Sequence, residues 1–405
     1  MRWLTPLALS AVAGACAPSA SAPPPVPPPT RTAGDPDIRI GVTLGVGQVA
    51  IGGDGLVIGY SHGEAIARGE TSITTSGQGI QTNSGERAER ITFVNQTPGR
   101  FLTVGNTAYR GAIEVYARSG AITVVNELSL EDYLIGVVAV ELGSRTARER
   151  AALDAQAVVA RTYALKNMGK HESEGFDLRA GVSDQAYGGE SSETALARAA
   201  VENTAGLVVT YQGNLISSFY HSTCGGSTAS PEASFRTVTA VPYLQSVSDA
   251  NGSGYYCDIS PRFRWSVVWD GPALADILRR TVPRTMGVDA EALTDIRGVS
   301  VKRTGASGRI LDARIEVAGG EIPVYGPDIR AVFATSGGAM LQSTFFRFQV
   351  EGQAHGMERV VAEGGGAGHG VGMCQWGAIG RARAGQSMEQ IVTTYFPGTR
   401  IERWY

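Results

Sequence analysis

The chain has 405 residues, of which 43% are apolar and 18% are charged, and its formal net charge is −3. This composition is typical of a folded protein of about two domains. The 35 lysine and arginine residues are scattered along the chain, so no basic stretch indicates a nucleic-acid partner.

The N-terminal stretch MRWLTPLALSAVAGACAPSASA combines one positive charge, an apolar segment and small residues after it. It is typical of a secretory signal and is too short for a stable membrane span. Two cleavage sites compete, ASA at 20–22 and AGAC at 13–16. We favour the second, which predicts a lipoprotein-type signal peptide at 1–16 and a lipid anchor on Cys16. The protein is then exported to the cell envelope or periplasm.

A Pro-rich linker is predicted at 17–36, because the stretch PPPVPPPTRTAGDP favours an extended, stiff chain. Once Cys16 is lipidated, three cysteines remain: Cys224, Cys257 and Cys374. An odd number in an oxidising compartment predicts one disulfide and a spare thiol. The spacing alone leaves the pairing open.

Strand patterns follow one another from Ile38 to about Val125, separated by Gly, Asn and Ser. Residues 74–90 are polar and Gly-rich, which predicts a long loop or a hairpin arm. The first part of this region is predicted as a β-rich N-terminal subdomain at 37–107.

Helical spacing begins further along the chain, in SRTARERAALDAQAVVARTYALKNMG. Thr146 and Glu149 fit a capping box, which predicts a helix from about Ala147. Apolar residues then recur every three or four positions, and Gly169 ends the pattern. The remaining predicted elements are a shorter helix at 191–206, a hairpin around Gly213, a Trp-rich stretch at 265–269, strands over 293–350, a Gly-rich loop at 364–372 and a short helix near 379–384.

The first polar cluster contains Glu141, which ends the apolar run VVAVE. A buried carboxylate is costly unless it is paired or used. Downstream, Gln156 and Tyr163 are seven positions apart and therefore share a helical face, close to Arg161. Spacing alone favours a structural polar contact here.

The second cluster comprises DQAYGG at 184–189 and FYHSTCGGST at 219–228. His221 and Ser222 are adjacent, but the G-x-S-x-G spacing of a nucleophile elbow is missing. His221, Cys224 and Cys257 would begin a metal site only with Cys374 or His369 as a fourth ligand. A disulfide between Cys224 and Cys257 explains the cysteines with fewer assumptions.

The third cluster is GGGAGHGVGMCQWGA at 364–378. Its glycines let backbone or ligand approach His369, and Trp376 offers a ring that can stack on a sugar. A Gly-rich turn around a structural histidine explains the same pattern.

Together these clusters resemble one family, that of sporulation stage II protein D and the amidase enhancer LytB. The motifs that carry the resemblance occur in order: YRGAIEVYA, VVNELSLEDYLIGVVAVEL, ALDAQAVVARTYAL, DQAYGG, HSTCGGST, VPYLQSV and GHGVGMCQWGAIGRARAGQSMEQIVTTYFPGT. The resemblance begins near Ala108 and implies a catalytic domain at 108–405. The predicted fold class is α+β, with a β-rich N-terminal part and a catalytic domain of mixed strands whose long helix lines a cleft.

The resemblance implies peptidoglycan glycan strands as substrate and, for the sporulation members, lytic transglycosylase activity on strands without stem peptides. The family's catalytic Glu falls on Glu141, which would be a single acid/base giving 1,6-anhydro products. A hydrolase would need a second carboxylate opposite it, from Glu131, Asp132 or Asp184, of which the first two are expected at a strand end or helix cap. The predicted substrate-binding residues are Gln156, Arg161, Tyr163, Gln185, Tyr187, His221, Ser222, Thr223, Gly225, Gly226, Thr228, His369, Gln375 and Trp376.

The LytB members imply an alternative role, a non-catalytic glycan-binding module that recruits or stimulates a cell-wall amidase. Some family members hold zinc between the long helix and the segment matching DQAY. Here that interval is HESEGFDLRAGVS, which has His171 but no cysteine. No metal and no cofactor are therefore predicted.

Overall fold

The computed structural model describes residues 34–235, 241–352 and 356–405. The predicted signal peptide, Cys16 and the linker up to residue 33 lie outside the described residues. Within the described ranges, every helix is too short or too polar to cross a membrane.

The N-terminal region is built from short strands, as the sequence predicts. In chain order these are β1 (Asp37–Val46), β2 (Gln48–Gly53), β3 (Val57–Ser61), β4 (Glu64–Arg68), β5 (Thr71–Ser76), β6 (Gly79–Thr82), β7 (Arg87–Ala88), β8 (Arg90–Asn95), β9 (Leu102–Val104), β10 (Thr107–Tyr109), β11 (Ala112–Arg118) and β12 (Ala121–Ser129). Residues 74–90 form a hairpin arm of β5, β6 and β7.

The later strands are shorter and more dispersed. They are β13 (Leu178–Arg179), β14 (Leu207–Tyr211), β15 (Asn214–Leu215), β16 (Tyr220–His221), β17 (Ala250–Asn251), β18 (Gly254–Tyr255), β19 (Arg264–Asp270), β20 (Ile296–Thr304), β21 (Ile310–Val317), β22 (Gly320–Tyr325), β23 (Phe346–Glu351), β24 (Arg359–Gly365), β25 (Met373–Cys374) and β26 (Arg400–Arg403). The predicted hairpin at Gly213 forms between β14 and β15, with a positive φ of 77° at that glycine.

The helices complete the α+β architecture. They are α1 (Leu130–Leu142), α2 (Arg150–Lys166), α3 (Ala195–Asn203), α4 (Gly271–Met286), α5 (Asp328–Val332), α6 (Gln375–Arg383) and α7 (Met388–Tyr395). The predicted α+β class is confirmed, with the strands concentrated at the N-terminal end.

The first twelve strands divide between two sheets. One has the order β13-β1-β12-β11-β8-β3-β4, and the other has the order β10-β9-β2-β5-β6-β7. The first sheet pairs strands from both sides of residue 107: β1 lies antiparallel to β12, and β8 to β11. The predicted division into 37–107 and 108–405 stays a prediction.

Helix α1 follows β12 without a loop and carries Glu141 in its last turn. The side chain of Ser129 caps it by accepting a hydrogen bond of 3.2 Å from the backbone N of Asp132. Glu131 and Asp132 lie in its first turn, where carboxylates are favourable. Gly143, with a φ of 65°, ends the helix directly after the Glu-Leu pair. This conformation favours glycine.

Helix α2 forms where the sequence predicts a helix. The carboxylate of Glu149 accepts a hydrogen bond of 2.9 Å from the backbone N of Thr146, as expected for the capping box. A 3₁₀ turn over Ala147–Glu149 leads into α2, and Gly169 follows its end with a φ of 79°. The helix is buried along most of its length against α1, α3, α6 and α7.

The described residues contain two large hydrophobic clusters. The first joins the N-terminal strands to α1, α2, α6 and α7. The second consists of residues between Trp265 and Ala362, and it includes the buried faces of α4 and of β19 to β24. The C-terminal region thus contains a second core, inserted between the cysteine-bearing segment at 224–257 and the Gly-rich loop at 364–372.

Candidate active site

Glu141 is partly exposed, and both of its carboxylate oxygens are held by hydrogen-bond donors. Oε1 accepts bonds from the backbone N of Ala186 at 3.0 Å and from the Tyr220 hydroxyl at 3.3 Å. Oε2 accepts a bond of 3.0 Å from the side-chain amide of Gln375. These three donors come from distant segments, so the fold itself orients this carboxylate.

Behind these donors lies a buried amide network. Gln185 is fully buried and donates from Nε2 to the Tyr220 oxygen at 3.1 Å, while its Oε1 lies 3.4 Å from the Tyr133 hydroxyl. Burial and the charge of Glu141 raise the pKa of Tyr220 well above its ordinary value, so its hydroxyl stays protonated and donates. Gln156 accepts a bond of 3.4 Å from Gln375.

One short strand pair explains which motif residues reach Glu141. Strands β16 and β25 are parallel, with Tyr220 opposite Met373 and His221 opposite Cys374. Successive side chains of a strand point to opposite faces. Tyr220 therefore reaches Glu141, whereas His221 points into the interior.

The other carboxylates near the site are held in ion pairs. Glu131 pairs with Arg161 at 2.6 Å, and Asp132 lies 3.8 Å from Arg110. The side chain of Asp184 is fully buried and contacts His171 at 2.9 Å and Lys170. Among the described residues, none of these three carboxylates hydrogen-bonds to Glu141. Glu131 and Asp184 are committed to ion pairs, whereas the guanidinium nearest Asp132, that of Arg110, is bonded to Glu193 instead.

Asp184 fixes the DQAYGG segment in place. Burial raises the pKa of its carboxyl, but hydrogen bonds from Lys170, the backbone N of Arg179 and His171 outweigh this effect and lower the pKa overall. The carboxylate also accepts a 3.4 Å bond from the hydroxyl of Tyr163, which was predicted to bind substrate. Asp184 therefore positions Gln185 and Ala186 rather than facing solvent.

Two residues predicted to bind substrate lie in the core. The guanidinium of Arg161 is fully buried and forms a bidentate pair with Glu131. Tyr187 donates from its hydroxyl to Asn126 Oδ1 at 2.9 Å, and its ring packs 4.9 Å from that of Tyr133. Because neither side chain has accessible surface toward a ligand, both act as structural residues here.

The polar side chains predicted from HSTCGGST mostly form hydrogen bonds within the protein. Thr223 Oγ1 lies 2.7 Å from Ser260 Oγ and 3.3 Å from Ser222 Oγ, and Thr228 Oγ1 accepts a 2.8 Å bond from the backbone N of Val247. Gly225 and Gly226 form a turn with φ values of 83° and 127°, packed against Phe345 and Tyr255. Only glycine adopts this backbone readily.

Trp376 follows Gln375 and does not offer both ring faces to a ligand. Its backbone N donates to the Ser222 carbonyl at 3.0 Å, and the guanidinium of Arg145 stacks 5.1 Å from the ring centroid. Of the predicted substrate-binding residues, only Ser222, His369 and Trp376 are partly exposed. The others are buried, so they can affect the site only by holding the residues that reach its surface.

Buried His221 and partly exposed His369 form an aromatic cluster with the partly buried Phe219 and Phe235, next to the buried Arg309. Their ring centroids are 5.6 Å apart, and that of His369 is 5.2 Å from that of Phe235. Burial, with the charge of Arg309 added, lowers the pKa of His369 to about 4. Burial also lowers the pKa of His221 well below its ordinary value. Both rings are therefore neutral at pH 7.

This cluster predicts a pH-dependent stability. Below about pH 6.5 the unfolded chain binds a proton at His369, whereas the folded chain does so only near pH 4, so acidification favours unfolding. We expect the loss of unfolding free energy between pH 7 and pH 5 to be smaller by about 2 kcal/mol in His369→Gln than in the wild type. Urea titrations at both pH values measure this difference. His62→Gln is the control, because His62 is exposed, and an equal slope in both variants would contradict the assignment.

The three described cysteines also meet in the interior. Cys224 Sγ lies 3.3 Å from Cys257 Sγ, which is beyond a disulfide bond of about 2.05 Å, and all three thiols are free. The predicted disulfide is therefore not formed in this structure. Asp249 joins the thiols, and the four candidate ligand atoms lie within 4.8 Å of one another.

Comparison with known proteins finds two family matches. Residues 118–211 match a family described as stage II sporulation protein (SpoIID), and residues 244–372 match a domain of unknown function (DUF8618). The second match contains most of the second hydrophobic core. The residues that hold Glu141 lie both within the first match and far downstream of it.

Three curated relatives align with most of the chain. An uncharacterised protein of Brachyspira hyodysenteriae is 28% identical over 325 residues, which cover 80% of this chain and 79% of the relative. Stage II sporulation protein D of Bacillus subtilis is 28% identical, covering 68% of this chain and 75% of the relative. The amidase enhancer of the same organism is 27% identical over 66% of this chain, but only 40% of that longer protein is covered.

Proposed function

We propose that this chain acts on the cell wall as a lytic transglycosylase. The proposal starts from its membership of the family of stage II sporulation protein D and the amidase enhancers. Its substrate would be peptidoglycan glycan strands, preferably without stem peptides. The observation that carries this proposal is the partly exposed carboxylate of Glu141, oriented by three donors with no second carboxylate in contact with it among the described residues.

A single acid/base is sufficient for this reaction. Glu141 donates a proton to the glycosidic oxygen as the bond to the anomeric carbon of the muramic acid ring breaks. The 6-hydroxyl of the same ring then attacks that carbon, and Glu141 takes up its proton. The product ends in a 1,6-anhydro ring, and the carboxyl returns to its starting state. No water and no second carboxylate take part.

The contacts around Glu141 orient its carboxylate for the second half of this exchange, in which it takes up the proton of the 6-hydroxyl. Ala186 N and the Tyr220 hydroxyl both bond Oε1, and Gln375 bonds Oε2, so the carboxylate plane is fixed while one side remains accessible. A hydrolase with two carboxylates needs them about 5–9.5 Å apart with space for a nucleophile or water. The ion pairs that occupy Glu131 and Asp184 disfavour that alternative, and Asp132 lies in the first turn of α1, about 13 Å along the helix from Glu141.

A second candidate is a glycan-binding module that stimulates an amidase, as the name of one relative says of that protein. Val140, one residue before Glu141 in α1, is 41% exposed and offers an apolar surface that binding without cleavage would use. Incubation with purified peptide-free glycan strands separates the two. Shortened strands support the enzyme, whereas intact strands that sediment with the protein support the binding module.

We also propose that the chain is exported and anchored to the membrane by a lipid on Cys16, which would place the site beside the wall. This proposal is supported by the sequence of residues 1–22 alone. Metabolic labelling with a fatty acid tests it, since Cys16→Ser should abolish incorporation, and label retained in that variant would refute the anchor.

Gln375 is a positioning residue in this mechanism. Gln375→Leu removes the donor to Glu141 Oε2, a hydrogen bond to a charged group worth about 1.5–3 kcal/mol. We expect kcat on glycan strands to fall about 10- to 100-fold with little change in KM. Gln349→Leu is the matched control, since this exposed glutamine bonds only Glu363 in the described structure. A rise in KM without a change in kcat would contradict the positioning role.

A further inference from the structure

Four buried side chains that the proposed mechanism does not use converge on one point. They are Cys224, Asp249, Cys257 and Cys374, each at most 1% exposed. One sulfur or carboxylate oxygen from each lies within 4.8 Å of all the others. They come from three separate segments, so only the folded chain brings them together.

We propose that these four residues bind a structural zinc ion. Zinc prefers thiolate sulfur, imidazole nitrogen and carboxylate oxygen, and structural zinc sites are closed and four-coordinate. Sulfurs around a tetrahedral zinc lie about 3.8 Å apart, given a Zn–S distance of about 2.3 Å. Cys224 Sγ lies 3.3 Å from Cys257 Sγ and 3.6 Å from Asp249 Oδ2, and all four candidate ligand atoms lie within 4.8 Å of one another, so the cluster has the size of a zinc site.

The surroundings of the sulfurs are those of metal-bound thiolates. Cys374 Sγ accepts bonds from the backbone N of Cys224 at 3.1 Å and of Gly377 at 3.3 Å, at the start of α6. Cys224 Sγ accepts a bond of 3.4 Å from the backbone N of Gly226. Such outer bonds orient ligands and stabilise negative charge on them.

The fourth donor, Asp249, is also oriented. Its Oδ1 accepts bonds from the Tyr395 hydroxyl at 2.7 Å and from Arg381 at 3.1 Å, which leaves Oδ2 directed at the thiols. Gly377 packs against this carboxylate so closely that a Cβ there would lie 2.6 Å from Oδ2. A residue larger than glycine at position 377 would therefore displace the Asp249 carboxylate.

Charge balance favours a divalent cation. Three thiolates and one carboxylate carry four negative charges. Arg381, bound to Asp249, and fully buried Arg309, whose Nη2 lies 3.1 Å from the Cys224 carbonyl, supply two positive charges. A divalent ion makes the buried cluster neutral, which avoids the cost of uncompensated buried charge.

A disulfide between Cys224 and Cys257 is the alternative, but it would bond two of the four groups in the cluster. It would leave Cys374 and Asp249 Oδ2 without a common partner in the interior. The proposed ion joins all four groups, and the argument for it does not use the proposed glycan chemistry. It is also distinct from a zinc site in the interval after α2, which here has no cysteine.

The site would link the metal to the active-site geometry. Cys374 immediately precedes Gln375, and Cys224 lies four residues after Tyr220, so two ligands share short segments with two donors to Glu141. The ion would hold β16 and β25 in register from the side opposite Glu141.

The test measures metal and thiol state in the full-length protein purified without chelator and dialysed against ZnCl₂. We expect about one zinc ion per chain by elemental mass spectrometry. We also expect Cys224, Cys257 and Cys374 to be alkylated without reductant once the chain is unfolded in chelator. Cys374→Ser should lose the zinc, whereas the control Asp258→Asn, an exposed carboxylate next to Cys257, should retain it.

Three results would overturn the site: a wild-type protein without zinc after dialysis, a Cys224–Cys257 disulfide, or a Cys374→Ser variant that keeps its zinc. If Cys374→Ser does not fold, the cobalt-substituted wild type provides the deciding measurement. Thiolate-to-cobalt charge-transfer bands with the intense visible spectrum of a tetrahedral ion support the site, and their absence refutes it.

Discussion

Glu141→Gln is expected to abolish measurable cleavage of glycan strands while leaving the protein folded and able to bind them. The substitution keeps the size of the side chain but removes the group that gives and takes the proton. General acid–base catalysis contributes about 10²–10⁴-fold, so kcat should fall by at least that range. An amide can keep the 3.0 Å bond from Ala186 N and can pair with Gln375 if that amide rotates. Timed digests analysed by chromatography measure the loss.

The control for this variant is Glu202→Gln, which makes the same chemical change at an exposed position of α3. Its rate should equal that of the wild type. The thermal unfolding temperature of Glu141→Gln should stay close to that of the wild type. If Glu141→Gln cleaves at the wild-type rate, the proton is carried by another group and the mechanism is wrong.

Arg161→Met is expected to lower the unfolding free energy by about 3–5 kcal/mol, more than the other stability variants proposed here. The guanidinium binds Glu131 through two bonds of 2.7 and 2.6 Å and also donates to the Leu207 carbonyl at 3.1 Å. Removing it leaves the buried carboxylate of Glu131 with two donors in the described part of the chain, the Tyr405 hydroxyl and the backbone N of Gly206. Urea unfolding at pH 7 gives the change.

Two further variants make this prediction specific. Arg347→Met breaks an exposed pair with Glu363 and should cost at most about 1 kcal/mol. In the Arg161→Met/Glu131→Met double variant, apolar side chains replace both charges, so part of the loss should be recovered. If Arg161→Met is as stable as the wild type but binds glycan more weakly, the residue contacts substrate, as the sequence predicted.

Local signals account for what could be predicted about the fold. The alternation of apolar and polar residues predicted the N-terminal strands, and Thr146 with Glu149 predicted the start of the helical region around α2. Both features depend on neighbours a few residues apart, so the sequence records them directly. Helix α1 was not predicted, because its largely apolar sequence gives no clear helical period.

The candidate site depends on contacts that no local pattern records. The motifs identified Glu141 and Gln375, which are in direct contact. The predicted substrate-binding residues included His221 but not its neighbour Tyr220, which bonds Glu141. Alternation along β16 decides between the two neighbours, and the strand is too short to be recognised from sequence. Ala186 contributes only its backbone N, which its side-chain type could not indicate.

The thiol cluster was missed for a related reason. The sequence offers Cys224, Cys257 and Cys374 as metal ligands together with a histidine, and a disulfide between Cys224 and Cys257 explains the cysteines with fewer assumptions. Asp249 was not considered, since a single aspartate in SVSDANGSG carries no spacing signal. Its role emerges only because the segment before Cys257 folds back onto the turn at Gly226, where the backbone N of Asp249 donates to the Gly226 carbonyl at 3.0 Å.

The mass of the new chain ends, after digestion of peptide-free glycan strands in ¹⁸O-labelled water, tests the central claim most directly. If a sugar hydroxyl completes the cut, each new muramic acid end is one water lighter than a reducing end and carries no label. Reducing ends that contain ¹⁸O would instead show that water attacks the anomeric carbon. That result would contradict the assignment of Glu141 as the only carboxylate the reaction needs.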